Sequence, residues 1–410
     1  MSNKDVYEKL ANRMSNLAIR NPLTPEFRKI LEALYTPEEA EMLLIFKIPM
    51  LNSYSAKQIA KKLNKPVEEI EPKLKELARK QRILSQGKKD KQYYSLLPLV
   101  PGVFEMFFAN HKRILAEEKQ IAKLFADEFD KYYKKRFASE MFASSHPLIR
   151  VLVDQKVIDD SVKKGKAKTV QINEIITNEM KFDVLLFDQV KNIIENESKI
   201  VALDCCCKVY KSINENDEIL NQDHSNGLPV NGASMPINNK GETIFPYPIN
   251  VCMVLGETAD YCVEMGFGKY INKNKALEII RKGSEAGLVH TTQNQIEGIS
   301  MICNCDPECC ISLRGITKYN YPSAIASSNF LPEYDKTQCK LCEKCIEICP
   351  TKAIIRLDDY VSIKNERCIG CGDCAYNCSG GAMIMIKKFN IIPPKDLGET
   401  ATVFLKGRAN

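Results

Sequence analysis

The first 204 residues contain no cysteine, and all 17 cysteines of this 410-residue chain lie between Cys205 and Cys378. Other absences narrow the field. No run of about 18 apolar residues occurs, so no membrane-spanning helix is expected. Met1 to Leu10 mixes charged and polar residues without an apolar core, so no secretory signal is expected and the cytoplasm is the expected compartment. Gly266 and Gly268 lack the third glycine and the strand–turn–helix setting of a dinucleotide site, and neither a P-loop nor an HExxH motif is present. An enzyme would have to work through a metal site, and no substrate can be read from the sequence. The net charge of +6 is mild for this length and does not by itself argue for nucleic acid.

What is present is cysteine, packed into less than half the chain. A disulfide framework needs an oxidising compartment and usually a small domain. Neither applies, so the dense cysteines point to metal ligation.

The expected architecture is multidomain α+β. Thr36, Pro37, Glu38 and Glu39 form a helix start, with cap, first-turn proline and first-turn acids. Ser55 caps a short helix carrying Ile59, Ala60 and Leu63. A longer helix from Pro66 carries Ile70, Leu74 and Leu77 on one face, and a hairpin is expected over 82–96. Helix, helix–turn–helix and two-stranded wing resemble the winged-helix fold over residues 25–97, giving a winged-helix-like domain over 1–102. Residues 103–143 form a helical connector with a stripe of Phe104, Phe107, Phe108, Leu124, Phe125, Phe129, Tyr132, Tyr133 and Phe137, read as core and breaking near Asn110. Residues 144–325 form a central α+β Cys-rich domain, with a polar, mobile insertion expected at 212–242. A ferredoxin-like domain follows at 326–392, then a tail at 393–410.

The segment Cys339-x2-Cys342-x2-Cys345-x3-Cys349-Pro350 recurs 29 residues later as Cys368-x2-Cys371-x2-Cys374-x3-Cys378 (368 − 339 = 29). Ala353, Ile354 and Ile355 recur as Ala382, Met383 and Ile384. Three closely spaced thiolates reach three irons of one cubane, and the fourth cysteine completes the other cluster. Cys339, Cys342, Cys345 and Cys378 are therefore the expected ligands of one [4Fe–4S] cluster, and Cys368, Cys371, Cys374 and Cys349 of the second. Gly370 and Gly372 are expected to let the backbone approach a sulfide. Ser379 stands where the first half has Pro350. Zinc sites usually pair separated C-x2-C clips, which this spacing does not resemble. The region resembles the bacterial two-[4Fe–4S] ferredoxins.

Nine cysteines remain. Cys205, Cys206 and Cys207 follow one strand; Cys303, Cys305, Cys309 and Cys310 end another; Cys252 precedes a helix near Gly256, where a helix start would favour its thiolate. The order of these segments, with Glu285 to His290 between them, resembles a family of prokaryotic ferredoxin-domain proteins from about residue 145 onward, known chiefly as iron–sulfur proteins. The long insertion after Lys208 and Asp306, Pro307 and Glu308 depart from that pattern. A further metal centre is expected, with Cys205, Cys207, Cys252, Cys303, Cys305, Cys309 and Cys310 as candidates. Cys206 and Cys262 read as structural, the latter beside Ala259 and Val263, and His290 as a satisfied structural histidine.

The leading functional expectation is an electron carrier exchanging electrons with a partner oxidoreductase, directly or through the central centre. The alternative is a redox-sensing regulator with the winged helix as output. Residues 56–92 hold 12 Lys/Arg and 5 Asp/Glu, which suits phosphate. Yet the start of the recognition-like helix carries Glu68, Glu69 and Glu71, which does not, so DNA is the less favoured partner.

Overall fold

A computed structural model describes residues 4–87, 91–163, 189–215 and 249–408. The N-terminal part holds α1 (Lys4–Met14), α2 (Pro25–Leu34), α3 (Pro37–Leu43), β1 (Tyr54–Ser55), α4 (Ala56–Leu63), α5 (Val67–Arg79), β2 (Ile83–Gln86) and β3 (Tyr93–Leu96). Thr36 with Glu39, and Ser55 with Gln58, close reciprocal capping boxes that start α3 and α4. Asn64 ends α4 in the left-handed conformation. The three strands form an antiparallel sheet in the order β1-β3-β2.

The connector is segmented: α6 (Phe104–Ala109), α7 (His111–Glu117), α8 (Lys119–Tyr132) and α9 (Ala138–Met141). It breaks at Asn110, as the sequence suggests, and again at Glu118. Its aromatic rings form the largest core of the molecule. Phe129 stacks on Phe104 at 4.4 Å and meets Tyr210 edge-on at 5.5 Å. Leu124 is the exception in the stripe, standing exposed.

The central part is a six-stranded antiparallel sheet in the order β4-β8-β9-β6-β5-β7. Its elements are β4 (Ile149–Val151), α10 (Gln155–Lys163), α11 (Val190–Asn196), β5 (Ile200–Leu203), α12 (Cys206–Glu215), β6 (Cys252–Leu255), α13 (Gly256–Glu264), β7 (Lys269–Ile271), α14 (Lys273–Glu285), β8 (Val289–Gln293), β9 (Met301–Cys305) and α15 (Leu313–Thr317). Two expectations change here. Residues 212–215 are not insertion but the end of α12, with Ser212 and Ile213 buried against the connector; the remainder of 212–242 lies outside the described residues. Cys252 opens a strand, four residues ahead of the helix start at Gly256, and its thiol is raised, not lowered as a helix start would have it.

The last part contains β10 (Phe330–Tyr334), α16 (Lys344–Glu347), β11 (Ile354–Leu357), β12 (Tyr360–Ile363), α17 (Asp373–Tyr376) and β13 (Met383–Lys387). Its internal repeat is structural: α16 and α17 are 29 residues apart (373 − 344), as are β11 and β13 at their starts (383 − 354). The outer strands of the two halves pair, β10 with β13, and so do the inner ones, β11 with β12. The segment after residue 392 is a helix, α18 (Leu397–Gly407), not a loose tail. Phe404 is buried, and Arg408 donates to the Ala18 carbonyl at 3.0 Å.

Candidate metal centres

The repeated motif forms two tight loops, each built on left-handed residues. Gly370 (φ +69°), Gly372 (φ +88°) and Gly381 (φ +65°) have first-half counterparts in Leu341 (φ +51°), Glu343 (φ +63°) and Lys352 (φ +52°). The loop itself imposes the conformation, with or without glycine. Gly370 and Gly372 line the second cleft. A Cβ at Gly370 would also meet the Phe330 carbonyl oxygen at 2.2 Å and Ser328 Oγ at 2.4 Å, so that position has to admit close neighbours.

The two loops exchange their fourth cysteines. One small cleft is lined by Cys339, Cys342, Cys345 and Cys378. A second is lined by Cys349, Cys368, Cys371 and Cys374. None of these cysteines is in a disulfide. Burial pushes the Cys345 thiol up to about 11 and the Cys371 and Cys374 thiols well above the usual range. Thiols in such surroundings stay protonated until a cation replaces the proton, which suits metal ligation. Backbone N–H groups of Leu341 and Ala353 donate to Cys339 Sγ (3.4 Å) and Cys349 Sγ (3.2 Å), bonds of the kind that tune cluster sulfur. Cys342 is exposed and Cys374 buried, so the first cleft faces the surface and the second the interior. Both share a wall: Cys345, Cys349 and Cys378 pack on the cluster of Ile354, Val361, Cys374 and Met383.

The central cysteines come from two strands, one helix and two loops. Pairing of Met253 with Ile302 brings the preceding Cys252 beside Cys303. Strand β9 continues through Cys305, so alternation puts Cys303 and Cys305 on one face. Cys205 leaves β5 just beyond Leu203, which is paired with Cys252. Cys207 lies in the first turn of α12, and Cys310 opens the turn leading to α15. The thiols of Cys205, Cys207, Cys252, Cys303, Cys305 and Cys310 lie close enough to perturb one another. Cys207 and Cys252 draw the Cys205 thiol well down, and Cys252 and Cys305 draw Cys303 to about 6. The Cys252 thiol is instead raised, chiefly by Cys205 and Cys303.

The remaining candidates stand apart. Cys309 is buried, its thiol raised by burial, and it bonds Asp306. Cys206 neighbours Cys207. Burial pushes Cys262 up to about 12. His290 pairs with Ser284 Oγ (2.8 Å) and Asn304 Oδ1 (2.5 Å), a satisfied structural histidine. Sequence reasoning missed two neighbours. Lys208 is fully buried, and its ammonium donates to the Asn304 carbonyl at 3.1 Å. Glu105, pushed up to about 7 by burial, stands within electrostatic reach of Cys303 and Cys206. Lys208 directly follows the cysteine triplet and was legible as a site residue; Glu105, in the connector, was not.

Among the described residues no three or more His, Cys, Asp or Glu side chains are gathered for a single metal ion. The thiols line two clefts and the central strands, a spread that suits a multi-iron cluster better than a tetrahedral ion.

Residues 331–379 match the family model of the 4Fe-4S dicluster domain. The ketoisovalerate oxidoreductase subunit VorC of Methanothermobacter marburgensis is 37% identical over 54 residues, 12% of this chain and 68% of VorC. The chain belongs to the 4Fe-4S dicluster domain family. An uncharacterized ferredoxin of Methanocaldococcus jannaschii is 36% identical over 87 residues, 21% of this chain and 52% of that protein. The electron transport protein HydN of Escherichia coli is 42% identical over 52 residues, 12% of this chain and 30% of HydN. Apart from VorC, the chain thus spans about half or less of these dicluster relatives, and none of the three matches covers more than about a fifth of it. No solved structure matches the chain.

Proposed function

We propose that the chain is an iron–sulfur electron-transfer protein whose dicluster domain feeds, or drains, a third centre in the central domain. In this reading Cys339, Cys342, Cys345 and Cys378 hold a first [4Fe–4S] cluster at the surface. Cys349, Cys368, Cys371 and Cys374 hold a second behind it, and the central cysteines hold the terminal centre. One observation carries the relay. Cys371 of the second cleft packs against the same apolar cluster (Val151, Val289, Leu313, Ile325 and Ile369) that contains Cys305 and Cys310 of the central domain. When bound, the clusters supply the one-electron chemistry. The chain's own residues position them, bury the inner ones and leave the outer one reachable through exposed Cys342.

The partner in this reading is a redox protein. VorC is named as an oxidoreductase subunit and HydN as an electron transport protein. The N-terminal part, winged-helix-like in its order of helices and its three-stranded sheet, serves as a docking module and not a DNA reader. Lys65 and Lys73 pair with Glu38 and Glu69, Lys75 with Glu71, and Arg79 with Glu76 and Glu117. These contacts occupy the cations that phosphates would need. Ile48, Met50, Leu51 and Tyr93 are exposed beside the sheet, a surface suited to protein contact.

The test is anaerobic purification with iron and sulfide counts and EPR of the reduced protein. More than about eight irons per chain, with a signal beyond those of the dicluster domain, is the expected result. About eight irons and no further signal would remove the central centre from the relay.

A further inference from the structure

His290 lies on β8, buried, with a partner on each ring nitrogen. Its Nδ1 is 2.5 Å from Asn304 Oδ1. That amide cannot be turned round, because its Nδ2 donates to the Val251 carbonyl, which only accepts. Oδ1 therefore accepts, and His290 Nδ1 carries a hydrogen. The other nitrogen, Nε2, is 2.8 Å from Ser284 Oγ. Ser284 has one hydroxyl hydrogen, and Asp154 Oδ2 lies 2.7 Å from the same oxygen, with the Ile280 carbonyl at 3.2 Å. Both of these groups are acceptors. Were Nε2 bare, one hydrogen would have to serve several close acceptors, and a buried group would be left unsatisfied. The chain closes when Nε2–H donates to Ser284 and Ser284 donates to Asp154. Imidazole is the stronger base of the two end groups, and Asp154 Oδ1 already accepts from the Lys156 backbone N–H at 2.8 Å, so the extra proton rests on His290. The neighbouring helix is shaped to this pair: a Cβ on Gly283 would stand 3.0 Å from Asn304 Oδ1 and 3.3 Å from His290 Cε1.

We infer that His290 is an imidazolium, a fixed buried cation at the junction of the dicluster domain and the central cysteine strand. Asn304, its partner, lies between Cys303 and Cys305 in β9. From the dicluster domain, Asn377, one residue before Cys378, donates its Nδ2 to the Ser284 carbonyl at 3.0 Å. Buried Asp373, one residue before Cys374, stands within electrostatic reach of His290, and its Oδ2 has no hydrogen-bond partner among the described residues. The charged groups around the imidazole are thus Asp154 ahead of α10, Asp373 on α17 and Lys208 on α12, whose ammonium donates to the Asn304 carbonyl. A cation at this place offsets the negative charge that each reduction adds nearby. The charge of His290 is a property of the folded chain; its effect on the centres rests on the proposed relay.

The test is nitrogen NMR of the full, oxidised holoprotein near neutral pH, isotopically labelled at the ring nitrogens of its four histidines. The His290 signals, identified by their loss in His290→Gln, are expected to be those of an imidazolium with both nitrogens protonated. One protonated and one bare nitrogen would overturn the inference. Asp154→Asn gives Ser284 a donor in place of the carboxylate and frees its hydrogen for Nε2. In that variant His290 is expected to become neutral with the iron count retained. An imidazolium that survives there would show that Asp154 does not hold the proton, and would also overturn the assignment. EPR-monitored redox titration reads the consequence. His290→Gln is expected to lower the midpoint of the inner cluster and to leave that of the surface cluster as in the parent; an unmoved inner midpoint at full iron overturns the electrostatic role. A parent with about eight irons would remove the central centre, and the NMR and inner-cluster readings would still decide the charge and its effect.

Discussion

Cys371, in the second cysteine loop of the dicluster domain, packs on the apolar cluster that contains Cys305 of the central sheet. Residues 66 positions apart (371 − 305) are thereby brought to one wall, with Ile369 in the same cluster. The dicluster domain is therefore joined to the central domain at its second cysteine loop, while Cys342 of the first loop is exposed.

The crossover of the fourth ligands has a direct check. Cys378→Ala is expected to abolish the same EPR component as Cys339→Ala, and Cys349→Ala the same component as Cys374→Ala. If Cys378→Ala instead behaved like Cys374→Ala, each motif would hold its own cluster and the exchange would be wrong.

Lys208 places a buried positive charge behind the central thiols. A cation nearby favours the more negative, reduced state of a cluster. Lys208→Met keeps most of the side-chain volume and removes the charge, so the central potential is expected to fall with iron content retained. An EPR-monitored redox titration measures this; an unmoved midpoint at full iron loading counts against the role.

Phe129 contacts Phe104, Tyr133, Phe137 and Tyr210, and Tyr210 lies on the helix that begins with Cys206 and Cys207. Phe129→Ala should destabilise the chain by about 3–5 kcal/mol. It should also loosen the helix that carries Cys207. Chemical denaturation gives the first quantity. Hydrogen exchange over 206–215 gives the second, and unchanged protection there would separate the connector core from the metal site.

Glu26 is held down to about 2, first by the hydrogen bond from Lys135 and then by its own helix backbone. A carboxyl depressed in the folded state contributes stability that is present above its usual value near 4.5. That contribution is lost as pH falls toward 2. Lys135 is largely in water, so the contribution is about 1 kcal/mol or less. Glu26→Gln should melt earlier than the parent at pH 6 and converge with it only near pH 2; a gap that persists there would point to packing instead.

The pairing of the α5 cations with carboxylates has its own consequence. Duplex DNA at low salt is expected to show no saturable, salt-dependent change in fluorescence anisotropy with the chain. A steep salt-dependent isotherm would restore the regulatory reading of the N-terminal domain.

The dicluster domain was legible from cysteine spacing alone, because ligands two residues apart on one loop are a local geometric requirement. The caps at Thr36 and Ser55 were legible for the same reason: a cap acts within one helical turn. The aromatic stripe announced a core, but not that Tyr210 would complete it from another domain. What needed the tertiary structure were relations set by strand register and by packing between segments far apart in sequence. The reading of Cys252 failed because a helix start was credited with an effect on a thiol that its neighbours Cys205 and Cys303 raise. Nothing local says that Cys252 lies beside Cys303, that Cys309 turns aside to Asp306, or that Cys371 meets the apolar wall beside Cys305. The sequence by itself determined which residues could bind iron–sulfur clusters and how the eight cysteines of the dicluster domain are spaced. Only the folded sheet, whose pairing depends on contacts the chain makes with itself at long range, decided that Cys252 of one strand stands beside Cys303 and Cys305 of another.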